Sequence, residues 1–260
     1  AAAALIAADR VARWNLPAWW LRRLQAAWPD HWQAIAASAQ TRPPLVLRVN
    51  RRKTDLASLA QRLAAAGIAT AVAGPVALRV LAPLPVHKIP GFADGLFSVQ
   101  LDLVALEADA DRAVRIHENL ERLQLAATVK VGDAARPQDW WDGVPFDRIL
   151  ADVPCSASGI VRRHPDIRWL RRDADIAALA KTQRRIVDGL WPLLKPGGRL
   201  LYVTCSIFPE EGEAQAAGFV ARHQDAVRLD APGQLLPALA DDAGDGGSDG
   251  FFYALFESAR

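Results

Sequence analysis

Alternation of strand-like and helix-like segments beginning near residue 101 constrains this chain most. Short apolar runs at Leu103–Leu106, Thr128–Val131, Phe146–Ala151 and Leu200–Thr204 are separated by helical stretches, Asp111 to Leu123 and one running through Ile186 to Leu194. Repeated βα units predict an α/β fold built on a mostly parallel, doubly wound sheet. In such sheets ligands bind outside the carboxyl ends of the strands. The polar residues at those ends therefore carry the functional argument, and they are Glu107, Asp133, Asp152, Cys155 and Cys205.

The preceding part reads differently. Residues 1–44 form a helical segment rich in Ala, Leu and Trp, with Asn15-Leu16-Pro17 predicted as a helix start. Five of the nine tryptophans, Trp14, Trp19, Trp20, Trp28 and Trp32, fall there and are expected to serve packing. Residues 45–100 read as a small α+β module, with strands at Leu45–Asn50 and Val76–Leu81 around a helix at Thr54–Ala66. Residues 101–260 are the doubly wound core. A chain that is 51% hydrophobic and 23% charged is globular rather than disordered. No apolar run approaches the roughly 20 residues of a membrane span, and Ala1 to Ala8 lacks a leading basic region, so a soluble, untargeted chain is expected. Two cysteines are too few for a disulfide scaffold; free thiols in a reducing, cytoplasmic compartment follow.

Glu107 closes a strand where a carboxylate can accept hydrogen bonds from both hydroxyls of a ribose; capping the next helix is the alternative. Asp133 and Asp152 end the next two strands, and three acids in register point to a nucleoside-containing ligand. Cys155 and Cys205 both lie just past strands, so if those strands are neighbours both thiols face one cleft with Asp152. The five histidines form no metal-ligand set with them. A redox pair is an alternative, although it would more typically be spaced Cys-x-x-Cys. Two thiols, a carboxylate and a nucleoside cofactor suit methylation at carbon 5 of cytosine. A thiolate adds to carbon 6, carbon 5 becomes nucleophilic, and a second thiol assists release.

The net charge is only +2, but Arg42, Arg48, Arg51, Arg52 and Lys53 form one basic cluster and Arg162, Arg163, Arg168, Arg171 and Arg172 another. Such clusters either neutralise phosphates along a polyanion or form solvated faces.

Asp152-Val153-Pro154-Cys155-Ser156-Ala157-Ser158-Gly159, Arg163-His164-Pro165-Asp166-Ile167-Arg168-Trp169 and Tyr202-Val203-Thr204-Cys205-Ser206 resemble the Sun/Fmu-type RNA cytosine-5 methyltransferases. Pro209-Glu210-Glu211, Asp249-Gly250-Phe251-Phe252 and Leu47-Arg48-Val49-Asn50 are similar to the same pattern, most of all to that of the bacterial enzymes acting on 16S ribosomal RNA. The resemblance implies a Rossmann-like methyltransferase core and S-adenosyl-L-methionine as methyl donor. It also implies Cys205 as nucleophile, Cys155 as the thiol assisting release, and Asp152 facing both cofactor and base. Glu107 and Asp133 would hold the ribose and adenine ends of the cofactor. The 45–100 module would contact RNA, with Arg48, Arg162, Arg163 and Arg168 as candidate contacts.

One departure stands against the pattern. The family carries a first strand, a Gly-rich loop and an active-site lysine before the strand ending in Glu107, whereas Val99-Gln100 runs directly into Leu101-Asp102. The chain also has no methionine, where ordinary usage gives about five. A stretch of about thirty or more residues, the size of a βαβ half-unit, is expected to be missing at that junction. The competing reading is a catalytically inactive RNA-binding or ribosome-assembly factor that keeps the fold and the cysteines.

Overall fold

A computed structural model describes residues 9–41, 45–51, 53–82, 88–91, 103–238 and 248–259. The Gln100–Leu101 junction, Arg42 and Arg52 lie outside these residues. Two compact units emerge: Ala1–Pro43 with Trp141–Asp241 and Gly247–Arg260, and Pro44–Trp140 with Asp242–Gly246. No described helix is long and apolar enough to cross a membrane.

Three short helices open the first unit: α1 (Arg10–Trp14), α2 (Ala18–Ala27) and α3 (Trp32–Ser38). Asp9 starts α1 by accepting the Val11 N–H at 2.8 Å. Asn15, expected to begin a helix, instead ends α1 in the left-handed conformation at φ 49°, and Pro17 caps α2. An Asn tolerates positive φ better than most residues, so the same Asn-x-Pro signal serves a helix break. The tryptophans pack as their density suggests. Trp20 lies edge-on to Phe208 at 5.4 Å, and Leu16, Leu24 and Ile35 join Ile176 and Ile207 in one core. Burying each such side chain contributes about 2 kcal/mol.

In the second unit β1 (Leu45–Arg48), β2 (Thr70–Gly74) and β3 (Ala77–Val80) form an antiparallel sheet in the order β1-β3-β2. Helix α4 (Leu56–Ala65), capped by Asp55 through the Ser58 N–H, buries Leu59 and Leu63 against Leu47, Leu78 and Val80. The Ala-rich β2 carries little strand signal in its sequence. Further on, β4 (Val104–Glu107) and β5 (Thr128–Val131) pair in parallel, joined by helix α5 (Ala110–Leu123).

The first unit resumes with β6 (Phe146–Asp152), α6 (Ile167–Leu170), α7 (Asp173–Leu190), β7 (Leu194–Thr204), α8 (Glu213–Arg222), β8 (Ala226–Leu235) and β9 (Phe251–Ser258). Strands β6 and β7 run parallel with Asp152 opposite Val203, and β9 lies antiparallel between β7 and β8. The α/β class is the one expected. The strand ends, however, fall in two sheets, β4-β5 and β6-β7-β9-β8, not in one continuous series. Among the described residues no strand pairs with the outer edge of β6, where Leu150 stands 68% exposed.

Candidate active site

Parallel pairing of β6 and β7 places their carboxyl ends side by side. The chain leaves β6 through Asp152, Val153 and Pro154 to reach Cys155, while β7 runs straight into Cys205. The Val153 N–H still donates to the Val203 carbonyl at 3.3 Å, extending the pairing by one residue. The two sulfurs consequently meet at 3.4 Å, both half-buried. After Cys155 the backbone turns tightly through Ala157 at φ 58°, a left-handed conformation that costs a non-glycine residue energy and persists only when its surroundings impose it. The Gly159 N–H then donates to the Cys205 carbonyl at 2.9 Å, tying the two loops together.

The two thiols hydrogen-bond to each other, and either sulfur can donate. The contact with Cys155 holds the Cys205 thiol below its ordinary pKa, against burial and the Asp152 and Glu211 charges. The same hydrogen bond, with burial, pushes Cys155 far up. The pair is thus asymmetric, with Cys205 the more readily ionised sulfur. Desolvation raises the Asp152 carboxyl, although that residue remains solvent-accessible. Tyr253 on β9 is half-buried, and burial followed by the Asp152 charge raises its hydroxyl pKa.

Beneath the sulfurs lies a residue that the sequence marked only as part of a motif. Glu211 is fully buried; its Oε1 accepts the Ser156 N–H at 2.8 Å and the Gln183 Nε2 at 3.0 Å, and its Oε2 accepts the Ser206 hydroxyl at 2.7 Å. Gln183 and Tyr253 had no sequence signal at all.

Glu107 and Asp133 lie in the second unit, at the ends of the neighbouring strands β4 and β5. The Gly132 N–H donates to the Glu107 carbonyl at 3.0 Å. Glu107 Oε1 accepts the Asp109 N–H at 3.0 Å and pairs with Arg112 at 2.8 Å, and Asp133 Oδ1 accepts the Ala135 N–H at 2.9 Å. The structure thus brings Asp152, Cys155 and Cys205 together at one sheet end, and Glu107 with Asp133 at another.

The basic residues divide. Arg48 is exposed on β1. Arg168 is only 2% exposed; its guanidinium donates to the carbonyls of Asn15 at 3.0 Å and Ala39 at 2.9 Å, where α1 and α3 end. Arg162 is buried and, with Arg163, pairs with Asp249. Arg162 and Arg168, expected to contact RNA, are found here engaged with groups inside the protein. Both are committed to partners inside the protein, because a guanidinium satisfies orphan helix-end carbonyls and a buried carboxylate as readily as a phosphate. Arg163 is partly exposed but shares the Asp249 carboxylate.

Fold and site together define an α/β protein of methyltransferase type. A methyltransferase homolog protein from Pyrococcus horikoshii superimposes with a TM-score of 0.76 at 22% identity, over 96% of this chain and 98% of that one. NSun6 from Pyrococcus horikoshii, solved with SFG, does so with a TM-score of 0.77 at 15% identity, over 94% and 98%. Residues 92–257 match the family model described as 16S rRNA methyltransferase RsmB/F, and residues 16–87 match the RsmF/B-like ferredoxin-like domain. The chain belongs to the RsmB/F family. It is 42% identical over 285 residues to ribosomal RNA small subunit methyltransferase B of Cronobacter sakazakii, covering 94% of this chain and 66% of that protein. It is 41% identical over 286 residues to the Shigella flexneri protein of the same name, covering 94% and 67%. The chain spans about two thirds of the length of these relatives. The alignments run over more positions than 94% of 260 residues supplies, so the relatives carry stretches with no counterpart here.

Proposed function

We propose that this protein methylates carbon 5 of a cytosine in RNA, with 16S ribosomal RNA as substrate class, through a covalent adduct on Cys205. The single observation carrying the reading is the 3.4 Å approach of two free cysteine sulfurs beside Asp152 at the carboxyl ends of two parallel strands. Family membership and the relatives' names support ribosomal RNA as substrate.

The residues present fit S-adenosyl-L-methionine in part. Glu107 and Asp133, acids at adjacent strand ends, suit the ribose hydroxyls and the adenine end; a Gly-rich turn has no counterpart among the described residues of that unit. When bound, this cofactor supplies an electrophilic methyl group. The protein's own residues prepare the acceptor. The Cys205 thiolate adds to carbon 6 of the flipped or single-stranded base, forming an S–C6 bond and moving the ring electron pair onto carbon 5. Asp152, with its proton affinity raised, shares a proton with the ring nitrogen edge and so offsets the negative charge of the adduct. After carbon 5 is substituted its proton passes to a water molecule, the C5–H electron pair becomes the C5–C6 double bond, and the S–C6 electron pair returns to Cys205. The Cys155 S–H, against that sulfur, hydrogen-bonds to the departing thiolate and so assists this elimination. Arg48, exposed on the smaller module, is a candidate phosphate contact.

Trapping tests the reading. Cys155→Ala should accumulate a covalent RNA complex through Cys205, and Cys205→Ala should abolish turnover; a Cys155→Ala protein that releases methylated RNA freely would overturn it. The stretches of the relatives without a counterpart favour a second reading, an inactive RNA-binding or ribosome-assembly factor. That reading requires RNA binding with no measurable affinity for S-adenosyl-L-methionine.

A further inference from the structure

We propose that Glu211 is a positioning residue that fixes the two cysteine loops against each other and thereby sets the distance between the reacting thiols; this rests on the two-thiol reading above. All of its side-chain partners adjoin the cysteines or hold residues that do. Ser156 follows Cys155 and gives Glu211 both its N–H, at 2.8 Å, and its hydroxyl, at 2.5 Å. Ser206 follows Cys205 and gives its hydroxyl at 2.7 Å. Gln183 on α7 donates at 3.0 Å to Glu211 and at 3.0 Å to the carbonyl of Pro154, the residue before Cys155. The Glu211 main-chain carbonyl accepts the hydroxyl of Thr204, the residue before Cys205, at 3.2 Å and that of Tyr202 at 2.8 Å. Each cysteine is thus held on both sides through one glutamate.

A stabilising role alone does not explain a carboxylate there. Its side-chain donors are all neutral, and a buried carboxylate facing only neutral donors pays a desolvation penalty that an apolar or amide residue of similar size avoids. Its charge also opposes ionisation of both thiols, an opposition that the Cys155 hydrogen bond outweighs at Cys205. What the carboxylate alone supplies is two oxygens accepting from three side chains and a backbone amide at once. A planar two-oxygen acceptor bridging both loops defines their spacing more tightly than a set of separate hydrogen bonds.

The test reads thiol spacing directly. Purified protein, without RNA or cofactor, is treated with a bis-alkylating reagent, and the fraction bridged between Cys155 and Cys205 is followed by mass, next to the rate of single alkylation. Glu211→Ala is expected to slow bridging about tenfold while single alkylation persists, and to lower kcat for RNA methylation about a hundredfold with KM for RNA within about twofold. Glu211→Gln keeps an acceptor for the Ser156 N–H and Gln183, and the serine hydroxyls can rotate. It should restore most of the bridging and move the pH midpoint of Cys205 alkylation downward, since a negative charge is gone. Ser206→Ala, which removes the hydroxyl's bond to Glu211 together with its contacts to Ser156, Ser158 and the Phe208 N–H, should slow bridging about threefold in a fully folded protein. Unchanged bridging in folded Glu211→Ala or Ser206→Ala overturns the proposal. So does loss of bridging in all three variants only together with loss of native circular dichroism, which would make Glu211 a folding residue. Because bridging needs no substrate, a Glu211-dependent spacing without detectable methylation would sink the proposed function and leave the positioning role standing. Methylation with Glu211-independent bridging would do the reverse.

Discussion

The Gly159 carbonyl accepts the Gly250 N–H at 2.8 Å, and the two backbones approach so closely that a Cβ built on Gly159 would lie 2.0 Å from the Gly250 carbonyl oxygen. Glycine is needed on the Gly159 side because the obstacle is main chain, which cannot rotate away as a side chain could. Since the Gly159 N–H also donates to the Cys205 carbonyl, the same residue pins the turn after Cys155 to both β7 and the entry to β9. Gly159→Ala should lower stability by about 3 kcal/mol and weaken Cys155–Cys205 bridging, checked by urea unfolding and the bis-alkylation rate. A fully stable Gly159→Ala protein would mean that this contact yields without consequence.

The shared proton of the thiol pair gives a signed pH prediction. The hydrogen bond with Cys155 is the largest influence holding Cys205 below its ordinary pKa, so removing the Cys155 thiol should raise it. In Cys155→Ala the rate of Cys205 alkylation by iodoacetamide should therefore reach half-maximum at higher pH than in the parent protein. A midpoint that stays in place or falls would assign the donor role elsewhere.

Arg168 and Arg48 should separate cleanly. Arg168→Met keeps the buried stem but abandons the carbonyls of Asn15 and Ala39, costing about 3 kcal/mol and leaving the salt dependence of RNA binding unaltered. Arg48→Ala, on an exposed strand position, should leave thermal stability unchanged and reduce the slope of log affinity against log salt by about one. Calorimetry and RNA titration at three salt concentrations read both.

Acid sensitivity should depend on Asp188. Burial raises its carboxyl, but hydrogen bonds from Arg222 and His223, at 2.9 Å each, outweigh that and hold it below the ordinary value. A depressed carboxylate adds stability that is fully present above the unfolded value of about 3.9 and is lost as pH falls through the lower folded value. Asp188→Asn should flatten this part of the acid limb, measured as unfolding midpoint against pH, while costing stability at neutral pH.

The sequence carried the strand ends and their chemistry because both depend on local pattern. Thr128–Val131 alternates cleanly and is a strand over those same residues, and each cysteine follows within three residues the end of one of two strands that pair in parallel. What pattern could not reach was partnership across distance. Glu211 and Ser156 are 55 residues apart, and nothing near either marks the other. The arginines show the same limit: Arg162 and Arg168 look basic in sequence, and their partners inside the protein, Asp249 and the carbonyls of Asn15 and Ala39, lie far along the chain. Strand β8 was illegible because its pairing with β9 slips between Leu229 and Gly233, so its side chains follow no single alternation.

Strand β9 is made after β8 but takes its place between β8 and β7. While the chain is being synthesised, β7, which carries Cys205, therefore has one edge open until Phe251 and the residues after it arrive. The positions of Phe252, Ala254 and Phe256 in the core stay unfilled until then. Gly250, which clamps the turn after Cys155, enters with the same segment. The turn after Cys155 thus gains this clamp only once residue 250 has been made, and a chain halted before it would lack the Gly250–Gly159 bond beside the thiol pair.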